Sequence, residues 1–124
     1  MGFALPAAIG ASFALSDYGA DPSSRIIAVA GDGGFQMTMQ EMGILPECPI
    51  PIKIIIANNR SLGMVNDMEI GKGGKYLLGD TPDFSLIAKA YNIPNSKINL
   101  DSKTESAVFE FISAPENALL EIIY

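Results

Sequence analysis

The chain has 124 residues, enough for one hydrophobic core and too few for two ordinary domains. Apolar residues make up 48% of it, which argues against disorder, and the net charge of −6 is dispersed, so no basic stripe follows a nucleic-acid backbone. There is no histidine, which removes the commonest general base and metal ligand, and the single cysteine, Cys48, reads as a reduced thiol in a cytoplasmic protein.

The first elements are apolar and tightly punctuated. Pro6 suits a first helical turn, and Ala7 to Leu15 continue with good helix formers. This run lacks a basic leader and carries Pro6 and Gly10, so a signal peptide is not expected. No segment reaches the roughly 20 apolar residues of a bilayer span. A turn-rich stretch from Asp17 to Ser24 precedes Ile26 to Ala30, whose unbroken apolar character predicts a central parallel strand buried on both faces. Gly31 to Gly34 break it, and a helix is expected from Phe35 to Leu45, closed by Pro46, Pro49 and Pro51. Ile52 to Ala57 form a second buried strand ending at Asn58-Asn59.

Residues 66 to 80 show no steady period and hold four glycines, so a long loop is expected. Asp83 to Asn92 present Phe84, Ile87, Ala88 and Tyr91 on one helical face, and Pro94 stops that helix. Lys97 to Leu100 read as a short strand. Ser102 and Glu105 fit a capping box that opens a helix with Val108, Phe109 and Ile112 as its buried stripe. Leu119 to Tyr124 are the last strand. Strands alternating with helices over the whole length predict a single α/β domain, residues 1–124, with a mostly parallel sheet.

In such a sheet ligands lie beyond the carboxyl ends of the strands, here Gly31-Asp32-Gly33-Gly34 and Asn58-Asn59-Arg60-Ser61-Leu62-Gly63. Asp32 offers an anionic oxygen and Asn59 a neutral carbonyl oxygen, the ligand types Mg²⁺ takes when it also bridges phosphates. Glycines let backbone N–H groups approach a diphosphate, and a helix opening near Gly34 adds its positive end. Each half is also at home as a plain turn. The dinucleotide fingerprint fails, because Gln36 stands where its third glycine should be, and no Walker loop is present.

The two halves at consecutive strand ends, however, resemble the signature of thiamine-diphosphate-dependent enzymes. Met1-Gly2-Phe3-Ala4-Leu5-Pro6, Phe35 to Met42 and Leu62-Gly63-Met64-Val65 resemble the acetolactate synthase (acetohydroxyacid synthase) branch. The resemblance implies a three-layer thiamine-diphosphate-binding fold with helices on both faces of the sheet. It also implies Mg²⁺ held by Asp32, Asn59 and the backbone carbonyl of Ser61. Gly31, Gly33, Gly34, Gly63 and Met64 would line the diphosphate pocket. Met1 stands where relatives carry a methionine that braces the cofactor, and is otherwise only a start residue. Met37, Met39 and Met42 read as core filling, with Met37 the one that could touch the cofactor. Lys72 and Lys75 read as solvated loop charges.

The implied activity is decarboxylation of pyruvate and its ligation to a second 2-oxo acid, on the route to branched-chain amino acids, with the hard chemistry supplied by the cofactor. The resemblance assigns no catalytic residue to this chain. The activating glutamate of relatives lies in a separate pyrimidine-binding domain with no counterpart here, and the sequence begins and ends inside the usual domain limits. A truncated reading frame, a split subunit or a repurposed binding domain all fit. The chain alone is then expected to be inactive, in a homodimer or heteromer with the pyrimidine-binding part and without nucleic acid or membrane. A 2-oxoacid decarboxylase, an oxidoreductase subunit and a non-catalytic remnant remain as alternatives. The lone Cys48 speaks against the iron–sulfur cluster common in the second of these.

Overall fold

Helix α1 (Ala4–Asp17) accepts Pro6 in its first turn, where the N–H that proline lacks would have no intrahelical partner. It ends in a Schellman motif. Gly19, at φ 72°, donates to Ser16 O at 3.0 Å, and Ala20 donates to Leu15 O at 2.9 Å. The computed structural model describes residues 1–21, 23–63, 65 and 81–124. The loop expected over residues 66–80, with Lys72 and Lys75, lies outside the described residues, as does Met64.

Four strands, β1 (Ile26–Gly31), β2 (Ile52–Asn58), β3 (Asn95–Asn99) and β4 (Ala118–Ile123), form one parallel sheet in the order β1-β2-β4-β3. Ile26 pairs with Ile52 and Gly31 with Ala57, while Asn58 pairs with Ile123. All the strands therefore point their carboxyl ends the same way, and the turns after β1 and β2 emerge side by side. β2 is central and buried along nearly its whole length.

The expectation that β1 is central and covered on both faces is corrected. It is one of the two edge strands among the described residues, and Ala28 is its one buried residue, while Ile27 and Val29 are 46% and 60% exposed. An apolar run shows that both faces can be covered. It does not show that this segment supplies the cover.

The main core lies on the face of Ala28, Ile54, Ile56 and Leu119, against Leu5 and Ala8 of α1, Phe35, and Phe84 and Ala88 of α3 (Phe84–Ala90). The rings of Phe35 and Phe84 meet edge to face, 5.6 Å between centroids. Asp83 caps α3 by accepting from Leu86 N at 3.0 Å. On the opposite face lies α4 (Thr104–Ser113), whose Phe111 ring centroid is 5.2 Å from Nζ of the buried Lys53.

Four local expectations change. Instead of one helix from Phe35 to Leu45, a short α2 (Asp32–Gln36) is followed by a 3₁₀ helix, Met39–Glu47, with Thr38 at φ −139° between them. The expected capping box does not form. Asp101 Oδ1 accepts from Lys103 N and Thr104 Oγ1 accepts from Asp101 N in the turn ahead of the helix, whose N-cap Lys103 makes no side-chain cap bond. Phe109 is 75% exposed, not part of a buried stripe. β3 begins two residues before its expected start, since a polar edge strand leaves no hydrophobic alternation to mark it.

The opposite rim of the sheet is pinned by polar groups. Ser12 Oγ donates to Ile50 O at 2.8 Å and accepts from Ile50 N at 2.9 Å. Asn117 accepts from Ile52 N at 2.7 Å and donates to Leu45 O at 2.8 Å. Arg25 and Lys53 donate to Ala114 O and Glu116 O. These bonds hold the strand entrances and leave the strand exits free for another role. Among the described residues, no helix is long and apolar enough to cross a membrane.

Candidate functional site

The adjacent exits of β1 and β2 open into a cleft of about 550 Å³. Its floor is Gly31 and Asp32 beside Ala57 and Asn59, and Ser61 and Gly63 form one wall. The segment from Met1 to Leu5 forms another wall, held down where Thr38 Oγ1 donates to Gly2 O at 3.0 Å. Gly33 and Gly34 line the cleft from α2. The structure thus brings together every sequence-derived site residue that it describes. Met37 does not line the cleft and is 54% exposed, whereas Met42 is buried and Met39 packs against the core, as core-filling methionines should.

The helix expected near Gly34 begins two residues earlier, with Gly31 as its N-cap at ψ 157°. Its five residues make a weak dipole, and the first-turn amides of Asp32 and Gly33 already face the Asp32 carboxyl, so α2 by itself offers an anion little.

Asp32 is 1% exposed, and its Oδ2 has no hydrogen-bond partner among the described residues. Burial pushes its carboxyl above the ordinary 3.8. The backbone N–H groups of Gly33, Asp32 itself and Arg60 pull it down, and the Glu121 charge adds to the rise. A buried carboxylate oxygen without a partner is costly unless a cation or proton reaches it.

The loop after β2 is built from two successive side-chain turns. Asn58 Oδ1 accepts from Arg60 N, and Asn59 Oδ1 accepts from Ser61 N, each at 3.0 Å. Between them Arg60 adopts φ 53°, in the left-handed region. Asn59 Oδ1 keeps a second lone pair, and the fold places that side chain and Ser61 in the same cleft as Asp32. Gly63 leaves room for the Asn59 amide, since a Cβ there would lie 3.2 Å from Asn59 Nδ2 and push it by a few tenths of an ångström.

Sequence reading missed two residues beneath this loop. Asn58 is 2% exposed and donates from Nδ2 to Glu121 Oε1 at 2.6 Å. Glu121 is itself 1% exposed. The signal that could have found it is a lone acid inside the apolar run Leu119 to Ile123, since a buried carboxylate needs a partner.

The arrangement offers one carboxylate, one amide oxygen and backbone groups around a cleft. It contains no cluster of three or more His, Cys, Asp or Glu side chains among the described residues, so a metal here would need oxygens from a ligand to complete its shell.

Comparison with known proteins agrees with this geometry. The family model described as "Thiamine pyrophosphate enzyme, C-terminal TPP binding domain" matches residues 1–122. The chain is 37% identical over 127 residues to the acetolactate synthase large subunit of Lactococcus lactis subsp. lactis, covering 99% of this chain and 21% of that protein. It is 38% identical over 126 residues to the acetolactate synthase large subunit of Pyropia yezoensis, covering 98% and 20%. The chain thus spans about a fifth of the length of the curated relatives it matches. Its fold is similar to that of a Mycobacterium smegmatis protein assigned as a thiamin diphosphate-dependent enzyme, with a TM-score of 0.74 at 22% identity over 99% of this chain and 22% of that one. Matched by the family model over nearly its whole length, the chain belongs to the thiamine pyrophosphate enzymes, as a C-terminal TPP-binding domain.

Proposed function

We propose that this chain holds the diphosphate of thiamine diphosphate through Mg²⁺, as the single cofactor-binding domain of an acetolactate-synthase-like enzyme that decarboxylates pyruvate and joins it to a 2-oxo acid. The observation that carries the reading is the buried Asp32 Oδ2, without a hydrogen-bond partner among the described residues, in a cleft shared with Asn59 and Ser61. Such an oxygen fits a hard cation, and Asn59 Oδ1 with the Ser61 carbonyl would complete the protein's share of an octahedral shell.

Gly31, Gly33, Gly34 and Gly63, with Met64, would bring the chain close to the diphosphate, and Met1 would brace the cofactor. When bound, the cofactor supplies the electron sink that lets a 2-oxo acid lose CO₂ and be joined to another. This chain's residues bind and orient it. We assign them no proton transfer, and place the groups that activate the cofactor in a pyrimidine-binding domain elsewhere in the enzyme or in a partner subunit. The chain alone is then inactive, working within a cytoplasmic homodimer or heteromer. The large-subunit relatives and the dispersed negative charge support this reading.

Calorimetric titration of the purified chain with thiamine diphosphate, with and without Mg²⁺, tests it. Metal-dependent binding that disappears in Asp32→Ala supports the reading. Binding that is indifferent to both the metal and Asp32 would overturn it.

A further inference from the structure

We propose that Glu121 is a positioning residue for the metal-binding loop: through Asn58 it fixes the left-handed turn at Arg60 that sets Asn59 and Ser61 beside Asp32. The inference rests on the Mg²⁺ site proposed above and assigns a role to two buried residues outside that ligand set.

Glu121 and Asn58 lie at the exit ends of neighbouring strands and are 1% and 2% exposed. Their 2.6 Å contact is charge-assisted. A carboxylate can only accept, so Asn58 must turn its NH₂ toward Glu121. Its carbonyl then faces the loop, where it accepts from Arg60 N at 3.0 Å. A flipped amide would set two acceptors against each other at one end and two donors at the other. The carboxylate therefore selects a single orientation of Asn58.

That orientation has a structural consequence. Arg60 is a non-glycine residue at φ 53°, a conformation that persists only where neighbouring contacts hold it. Once it is held, Ser61 N is placed to donate to Asn59 Oδ1, which orients the proposed ligand.

The other Glu121 oxygen, Oε2, makes no hydrogen bond among the described residues but lies 3.2 Å from Lys97 Nζ. Lys97, on the edge strand β3, thus pairs with a carboxylate that would otherwise stand buried near Asp32 with nothing to balance it. Glu121, Asn58 and the Arg60 amide form a chain of contacts from β4 to the loop; none of the three residues lines the cleft, and the Arg60 amide also faces the Asp32 carboxyl.

Nuclear magnetic resonance of the metal-free chain tests this, followed by titration with thiamine diphosphate and Mg²⁺. The readouts are hydrogen exchange of the Arg60 amide and its three-bond HN–Hα coupling, in wild type, Glu121→Leu, Asn58→Ala and Glu121→Gln. In the first two variants the Arg60 amide should exchange about tenfold faster, its coupling should leave the left-handed value, and metal-dependent affinity should fall by about tenfold, as for other outer-shell partners. Glu121→Gln can still accept from Asn58 and should stay within about threefold of wild type in both readouts. Should Glu121→Leu fail to fold, Asn58→Ala carries the test, since it leaves the Glu121–Lys97 pair intact. Unchanged Arg60 exchange in a folded Asn58→Ala would overturn the proposal, as would equal loss in Glu121→Gln and Glu121→Leu. If wild type shows no metal-dependent binding, the Mg²⁺ reading fails on its own, and Arg60 exchange still decides the positioning role.

Discussion

A side-chain carbon on Gly63 would lie 3.2 Å from Asn59 Nδ2, closer than about nine in ten real contacts of that kind. The residue after the loop therefore shares its space with a proposed metal ligand. Gly63→Ala should push the Asn59 amide aside and weaken Mg²⁺-dependent binding of thiamine diphosphate by about tenfold. The melting temperature should move little, because the crowding lies at a strand exit and not in the core. Unchanged affinity, measured by calorimetry, would show that Asn59 has room to retreat or is not a ligand.

Asp32 works against stability in the metal-free chain, because its carboxylate is buried with one oxygen unpartnered among the described residues. Asp32→Asn keeps the shape and removes the charge. We expect the metal-free variant to be more stable by on the order of 1 kcal/mol, raising the melting temperature by about 4 °C, and to lose Mg²⁺-dependent binding altogether. A variant that melts lower than wild type would mean that the charge is already compensated.

Lys53 gives a pH dependence of defined sign. Burial pushes its ammonium below the usual 10.5, Glu116 pulls it back and Arg25 adds to the lowering. The folded chain thus binds its proton less tightly than the unfolded chain does. The resulting cost is fully present below the folded-state pKa and fades as pH rises from there to 10.5. Relative to Lys53→Met, which keeps the packing on Phe111, wild type should gain stability in urea melts as pH rises toward 10.5. A difference that stays constant as pH rises would mean that the buried Lys53 ammonium carries no such cost.

Asn117→Ala removes an acceptor from Ile52 N and a donor from Leu45 O in one step. Leaving both unpaired should cost about 1–3 kcal/mol of unfolding free energy. Denaturant midpoints should show the loss, while cofactor affinity should stay within experimental error. A fall in affinity comparable to that of Gly63→Ala would show that the two rims of the sheet are coupled.

The cleft was legible in the sequence because its residues are polar at places where apolar strands end. Asp32 and Asn59 declare themselves by type and position, and parallel pairing brings them together whatever the details of the helices. Asn58 was legible as a strand end but not as a support, because its role depends on a carboxylate 63 residues away in sequence. Glu121 is hidden for the same reason. The edge position of β1 was not legible, since Ile27 and Val29 have the character of covered residues whether or not the cover is present. Phe109 misled as a helix-stripe residue because helical periodicity fixes a face but not what lies opposite it. The helix after β1 was misread because Thr38, at φ −139°, and the following 3₁₀ geometry interrupt a segment whose propensities read as continuous.

The two rims of the sheet divide the labour of the molecule. At the strand entrances, Ser12, Arg25, Lys53 and Asn117 tie loops to backbone carbonyls and amides. At the exits, Asp32 and the loop after β2 surround a cleft. Pairs of substitutions drawn one from each rim should combine almost additively, since they share no partner. A destabilised exit loop can therefore be offset by a change at the entrances that leaves the cofactor untouched, so the site can be redesigned on a scaffold strengthened from its far end.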